Sequence, residues 1–390
     1  MLTGIIPSGM AFPPNPFRYG ALALDEAFTD REAEIRELEA DILNGQDVVV
    51  FAPRRYGKSS LVGRVSQELI AGGVLAAHVN LMTTPTKERL AEKLATTIHK
   101  DIASGLFRAR DRALGVFRGL RITPRIGLEP DGSVSFGFDV GQRAGDVDAT
   151  LERLLALPGE LSAERDRKIA VVLDEFQEVV DIDPNLPKLM RSVFQEQPEV
   201  SHVYLGSKRH TMERIFNDEN EPFWRSAKQM ELGVIAPDLF AGYIGERFRS
   251  TDKDVDGPAL VRILELTGGH PYATQELCYF VWGATAEGEA ASLAHVEAGL
   301  GGVLRSEHAH FSLLWEASSV GQRLVLGALA AEPGRPYTEA YRRRRGLPAA
   351  TNVQKALSGL MKRELVTKDQ AGVVAIAEPF IAEWILRAKT

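Results

Sequence analysis

Cysteine is almost missing from this sequence: Cys278 is the only one in 390 residues. No intrachain disulfide can form, and no Cys/His array has the spacing of a zinc site, so a disulfide-stapled secreted fold and a zinc-built fold are both excluded. A reducing, cytoplasmic setting is the expectation. No run reaches the roughly 18 to 20 apolar residues that span a bilayer, and no membrane partner is expected. Residues 1–19 hold four prolines, one late arginine and no continuous apolar core, which reads neither as a signal peptide nor as an anchor. Internal repeats and low-complexity tracts are also lacking. What remains, 44% hydrophobic and 25% charged residues over this length, describes a globular protein of two or three domains with a core large enough to need no staples.

A strong positive charge is lacking too, since 46 basic against 53 acidic residues leave a net −7. The balance is uneven along the chain. Residues 315–390 carry 12 Lys and Arg against 7 Asp and Glu, a local +5, which leaves −12 for the residues before them. The bulk figure therefore conceals a basic C-terminal segment, and nucleic acid stays open as a partner there.

Residues 28–44 have a helical apolar period through Ile35, Leu38 and Ile42, with Thr29 or Asp30 as the cap. Residues 47–51 form a short valine-rich run of the kind found in buried parallel strands, and it leads into A-P-R-R-Y-G-K-S-S-L-V. Helices and apolar strands then alternate, with strands expected at 74–81, 168–173, 200–206 and 232–236. Residues 122–140 break the pattern: Ile126, Leu128, Val134, Phe136 and Phe138 alternate around Asp131-Gly132, a β-hairpin signal. Strands separated by helices predict a parallel sheet covered on both faces. Helices at 238–248, 258–267 and 272–282 make a small helical subdomain. Glycine-rich 299–302 opens an expected connector to 314. Three further helices and a hairpin at 366–376 read as a winged helix.

Residues 52–59 fit G-x-x-x-x-G-K-[ST], with alanine in place of the first glycine. Such a loop turns backbone N–H groups inward at the positive end of a helix and so cradles phosphate oxygens. Ala52, Pro53, Arg54, Arg55, Tyr56, Gly57, Lys58, Ser59 and Ser60 are the predicted nucleotide-binding residues. Lys58 is expected to reach the β- and γ-phosphates, and Ser59 to ligate Mg²⁺. Alanine resists φ > 0, so Ala52 is expected to alter the loop slightly. The run K-I-A-V-V-L-D-E then supplies the acids such a loop needs: Asp174 to hold Mg²⁺ and Glu175 to polarise water against the γ-phosphate. Ser207, after a third strand, is placed to sense that phosphate. Lys208, Arg209, Arg214 and Arg225 each read as an arginine-finger-like candidate or as a solvated surface cation. His308 and His310 read as part of a solvated connector.

Seven motifs occur in order: N-P-F-R-Y-G, F-T-D-R-E-A-E-I, A-P-R-R-Y-G-K-S-S-L, L-D-E-F-Q-E, L-G-S, P-F-W-R and T-G-G-H-P-Y. Together they resemble the archaeal-type ATPase family within the AAA-related STAND group, which also carries a hairpin insertion and ends in a winged helix. A-E-P-F-I-A-E-W looks like its closing motif. The resemblance implies ATP with Mg²⁺ as cofactors, adenine packed near Phe28 and Arg31, and Pro271, with His270 beside it, lining the nucleotide site. It also implies nucleotide-dependent movement of the winged helix and assembly of copies when ATP is bound. The expected organisation is an α/β P-loop ATPase core at 15–236, a helical lid at 237–298, a connector at 299–314 and a winged helix at 315–390. The function expected is an ATP-hydrolysing molecular switch. The alternative is a nucleotide-gated DNA-binding regulator with negligible turnover. Arg342, Arg343, Arg344, Arg345, Lys355, Lys362, Arg363 and Lys368 make the winged helix a candidate for duplex DNA, and docking to protein stays open beside it.

Overall fold

Four consecutive apolar residues, Val48–Phe51, form β1, and all four are buried. A strand buried on both faces must have its edges paired as well. The other strands are β2 (Leu75–Asn80), β3 (Arg125–Leu128), β4 (Val134–Gly137), β5 (Ile169–Asp174), β6 (Val200–Gly206) and β7 (Lys228–Glu231). The computed structural model describes residues 14–20, 24, 28–103, 125–128, 134–137, 144–369 and 371–388. It divides into two units, Arg31–Gly233 and the segments on either side of it.

In the first unit five parallel strands run in the order β2-β5-β6-β1-β7. This is the P-loop sheet, with helices packed on it. The register sets Phe51 opposite both Gly206 and Glu231, and Leu173 opposite Tyr204, so the carboxyl ends of β1, β5 and β6 finish along one edge. Phe176, Tyr204, Phe216 and Phe223 form an aromatic cluster within the core, with ring centroids 4.7–5.8 Å apart. β3 and β4 pair antiparallel, as expected; Ile122, Asp131, Gly132 and Phe138 lie outside the described residues. Phe136 of the hairpin is buried, stacks edge-on to His99 and donates its N–H to Thr96.

The opposite end of the sheet is tied by Asp47. Its Oδ1 accepts from the backbone N–H of His202 at 2.8 Å and lies 3.1 Å from the ring Nδ1, while Oδ2 takes the Tyr204 hydroxyl at 3.5 Å. Burial, with the Asp47 charge behind it, pushes the Tyr204 phenol well above its ordinary value.

The second unit has its own core. Phe240, Leu277, Val281 and Leu300 of the lid pack in one cluster with Val325, Leu357, Leu360, Phe380 and Trp384 of the winged helix. The winged helix comprises helices Val320–Ala331, Glu339–Arg345 and Ala350–Lys362, the two-stranded wing Val366–Lys368 with Val374–Ile376, and a closing helix Pro379–Ala388.

Several expectations change. The first helix is Glu32–Leu43, and neither Thr29 nor Asp30 caps it: its cap is Arg31 in a left-handed conformation. The last strand lies at 228–231 and not at 232–236, because it is an edge strand with only Met230 turned inward, so no apolar run announces it. Residues 299–314 are not a connector but belong to helices Leu293–Ser306 and His308–Glu316. The glycines there serve close helix packing: a Cβ would stand 2.7 Å from Val281 at Gly299 and 2.6 Å from Phe280 at Gly302. His308 and His310 are exposed as expected but stand in the second of these helices, where Trp384 donates to His308 Nδ1 at 3.1 Å. Asn15–Tyr19, expected with the ATPase core, join the lid: Phe17 is buried against Tyr243 and Phe248, and Asn15 donates to the Tyr279 carbonyl.

Asp47→Ala leaves a backbone N–H and a ring nitrogen of His202 without their acceptor, so it is expected to lower stability by about 2 kcal/mol. The urea midpoint checks this. Asp47→Asn, which keeps one acceptor, should lose less.

Candidate phosphate-binding and acid site

The loop between β1 and the helix Lys58–Ala71 owes its curl to two left-handed residues, Arg55 at φ 67 and Gly57 at φ 86. Successive N–H groups in such a turn point into one concavity, which opens here onto a helix N-terminus. Ala52 is buried and does not have positive φ, so alanine at that position costs the loop nothing and the expected alteration does not arise. Lys58 is only 7% exposed; its Nζ donates to the carbonyls of Ala52 at 2.7 Å and Pro53 at 2.9 Å. The ammonium is thus aimed into the loop. Burial raises the Tyr56 phenol above its ordinary value, with the charge of Arg31 opposing.

β5 delivers the acids to the same edge. Asp174 Oδ1 accepts the N–H of Glu175 at 2.9 Å, and Oδ2 is 3.4 Å from Ser59 Oγ and 3.5 Å from His78 Nε2. Two hard oxygen donors, one from the phosphate loop and one from the neighbouring acid strand, fit the chemistry of Mg²⁺. Glu175 sits at φ 54, a conformation costly for a non-glycine residue. Its two C-terminal neighbours hold it there, Phe176 fully buried in the aromatic cluster and Gln177 only 1% exposed. Ser207, at the end of β6, donates to Glu175 Oε2 at 2.8 Å, and Gln177 Nε2 donates to the same oxygen. Lys208 pairs with Glu178 at 2.7 Å, which raises its pKa above the ordinary value.

The structure thus brings Ser59 to Asp174 and Ser207 to Glu175, with Lys58 beside Ser59 at the start of the helix. Sequence reasoning assigned no role to His78 or Gln177: an isolated histidine on a strand carries no motif, and Gln177 stands within L-D-E-F-Q-E only as the neighbour of the acid pair. The candidate cations Arg209, Arg214 and Arg225 lie at the surface, as the second of their two expected readings has it. Arg209 pairs with Glu213 and Glu231, and Arg214 with Glu221, while Arg225 lies 5.8 Å over Trp224. Arg31 is buried, pairs with Glu34 at 2.8 Å and donates to the Gly233 carbonyl at 2.5 Å, so it fastens the first residue of this unit to its last. Phe28 and Pro271 belong to the other unit; Pro271 opens the helix Pro271–Ala284, for which His270 Nδ1 caps the Ala273 N–H at 3.3 Å.

In the winged helix most of the arginines are engaged within the domain. Arg343 pairs with Glu339, and Arg344 and Arg345 both pair with Glu332, whose carboxyl they hold below its ordinary range, Arg345 foremost. Arg342 donates to the carbonyls of Tyr337 and Pro348, and Arg363 to Leu314, Ala317 and Ser318. Lys355 and Lys362 stand exposed on the third helix, and Lys368 lies 5.6 Å over the Tyr337 ring. Among the described residues no helix is long and apolar enough to cross a membrane, and no cluster of three His, Cys, Asp or Glu could hold a metal.

Residues 28–277 match the family model described as an ATPase domain predominantly from Archaea, and residues 309–387 match that of a "probable winged helix domain". The chain is similar in fold to a Walker-type ATPase of Pyrococcus abyssi, with a TM-score of 0.63 at 16% identity over 93% of this chain and 97% of that one. The ORC2 protein of Aeropyrum pernix in its ADP form follows at 0.49 and 17%, covering 94% and 97%, and the ORC1 protein of the same organism in complex with DNA at 0.48 and 17%, covering 94% of each. No curated protein matches.

A Cβ on Gly206 would stand 2.4 Å from the buried Met212 side chain and 2.7 Å from Gln177 Oε1. Gly206→Ala should therefore cost about 1–3 kcal/mol of stability through overpacking, read as a lower melting temperature. An unchanged melting temperature would show that the strand end is looser than its packing indicates.

Proposed function

The chain belongs to the family of ATPase domains found predominantly in Archaea, and from that membership we propose that it is an ATP-binding, ATP-hydrolysing molecular switch whose nucleotide state governs its winged helix. One observation carries the reading: the phosphate loop, the acid pair and a hydroxyl from three different strands meet at one sheet edge, with Ser59 3.4 Å from Asp174 and Ser207 2.8 Å from Glu175. Ligands of open α/β sheets bind at such carboxyl ends.

In this reading Lys58 exchanges its two loop carbonyls for phosphate oxygens, and the loop N–H groups hold the phosphate chain. Ser59 and Asp174 would hold Mg²⁺, which when bound supplies positive charge to the β- and γ-phosphates. Glu175 orients a water whose oxygen attacks the γ-phosphorus. The bond to the β-phosphate oxygen breaks, ADP leaves with that electron pair, and Glu175 takes the water proton. Ser207 turns its hydroxyl toward the γ-phosphate. Phe28 and Pro271 keep the adenine-packing and site-lining roles implied by the family, whereas the contacts of Arg31 favour a structural role for it. Because lid and winged helix share one core, a nucleotide that moves the lid carries the winged helix with it. The same reading includes cytoplasmic action and ATP-dependent assembly of copies.

A second reading, a DNA-binding regulator with negligible turnover, draws on the exposed Lys355 and Lys362. Ion pairing of Arg343, Arg344 and Arg345 inside the domain favours protein docking over phosphate contact by the arginine run.

Phosphate release should depend on Mg²⁺ and fall to background in Lys58→Ala. Glu175→Gln should retain ATP while turnover drops by about 100-fold or more. Equal turnover by either variant sinks the hydrolytic reading. Binding to duplex DNA measured across a salt series separates the second reading: two lysine contacts give a log–log slope of about −2, which Lys355→Ala with Lys362→Ala abolishes. Absence of any salt-sensitive binding leaves the winged helix as a protein-docking module.

A further inference from the structure

Glu175 is one member of a closed ring of side chains. Ser207 Oγ donates to Glu175 Oε2 at 2.8 Å, and Gln177 Nε2 donates to that oxygen and, at 3.3 Å, to Glu178 Oε1. Lys208 Nζ donates to Glu178 Oε1 at 2.7 Å. Ser207 and Lys208 are consecutive, so these bonds join the ends of β5 and β6 in a circuit, and the charge of Arg54 in the phosphate loop acts on Lys208 from outside it. Gln177 is the member that touches both carboxylates, and its amide separates two like charges.

The chemistry of Gln177 is poorly explained by stability. Its side chain is 1% exposed, and Oε1 is buried with no hydrogen-bond partner, facing Gly206. An orphaned buried carbonyl costs about 1–3 kcal/mol, and methionine would fill nearly the same volume without it. What methionine cannot supply is two N–H donors. Both donors to Glu175 fall on Oε2, and Oε1 accepts none among the described residues. The carboxylate is fixed by one oxygen and presents the other.

We propose that Gln177 is a positioning residue for Glu175: its amide holds Oε2 so that Oε1 is presented to the attacking water, and it remains the tether when the Ser207 hydroxyl turns to the γ-phosphate. The inference rests on the hydrolytic reading of Glu175.

Gln177→Met in the full-length chain tests it. Turnover at saturating ATP should fall about 10- to 100-fold, the range for a displaced catalytic group. ADP affinity should stay within about twofold and the melting temperature should hold or rise, since the orphan is removed. In a Glu175→Gln background the same substitution should lower the residual turnover no further, because Gln177 acts through that carboxylate. Gln177→Asn, polar but one methylene short, should lose turnover like the methionine variant and guards against a folding failure. Wild-type turnover in both Gln177 variants, or a further loss in the Glu175→Gln background, overturns the proposal alone. A wild-type chain without turnover, or an active Glu175→Gln, overturns the hydrolytic reading and this inference with it.

Discussion

The structure depends on the parallel pairing of β1 between β6 and β7. The register sets Phe51 against Gly206 on one side and Glu231 on the other, which fixes the phosphate loop, one residue beyond Phe51, beside Ser207, one residue beyond Gly206. A slip of one residue would carry Val49 and Phe51 out of the core cluster they pack in and onto the opposite buried face, so the packing that builds the core also aligns the chemistry. Asp47 enforces the same register from the far end by binding His202 and Tyr204 of β6. Site geometry and core packing are in this respect one constraint.

The acid loop shows how a costly local conformation is maintained. Glu175 in the left-handed region would relax if its neighbours allowed it, but Phe176 is locked among Tyr204, Phe216 and Phe223, and Gln177 is wedged against Gly206. The residues after the acid pair are thus the mechanical support of the carboxylate. They also explain why a glycine ends β6: the close approach of Met212 and Gln177 leaves no room for a Cβ.

How much of this is legible in the sequence varies with the kind of signal. The phosphate loop, Asp174, Glu175 and Ser207 are readable because each follows an apolar strand and local order suffices to place it. β7 is not readable, because an edge strand needs one buried residue and shows K-Q-M-E. Glycines 299 and 302 mislead in the opposite sense: a glycine read as a break is, between two helices, a means of close approach. His78 becomes visible only when strands distant in sequence are paired, and Gln177, though inside L-D-E-F-Q-E, shows its part only in its contacts with Glu175 and Glu178.

Charge is where counting and contact part most clearly. The +5 of residues 315–390 rests largely on an arginine run and on Arg363. Three of the four arginines in that run are paired with Glu339 and Glu332, and Arg363 caps carbonyls at the end of the helix His308–Glu316. Exposed ion pairs of this kind contribute little stability each, but they cancel local potential, and it is local potential that attracts a phosphate backbone. The basic surface left to a nucleic acid is therefore smaller than the count suggests and is centred on Lys355 and Lys362 of the third helix. Lys355 and Lys362 stand among the uncharged Thr351, Asn352, Gln354 and Ser358, so the third helix presents two positive charges in an otherwise polar surface, far fewer than the arginine count of the segment implies.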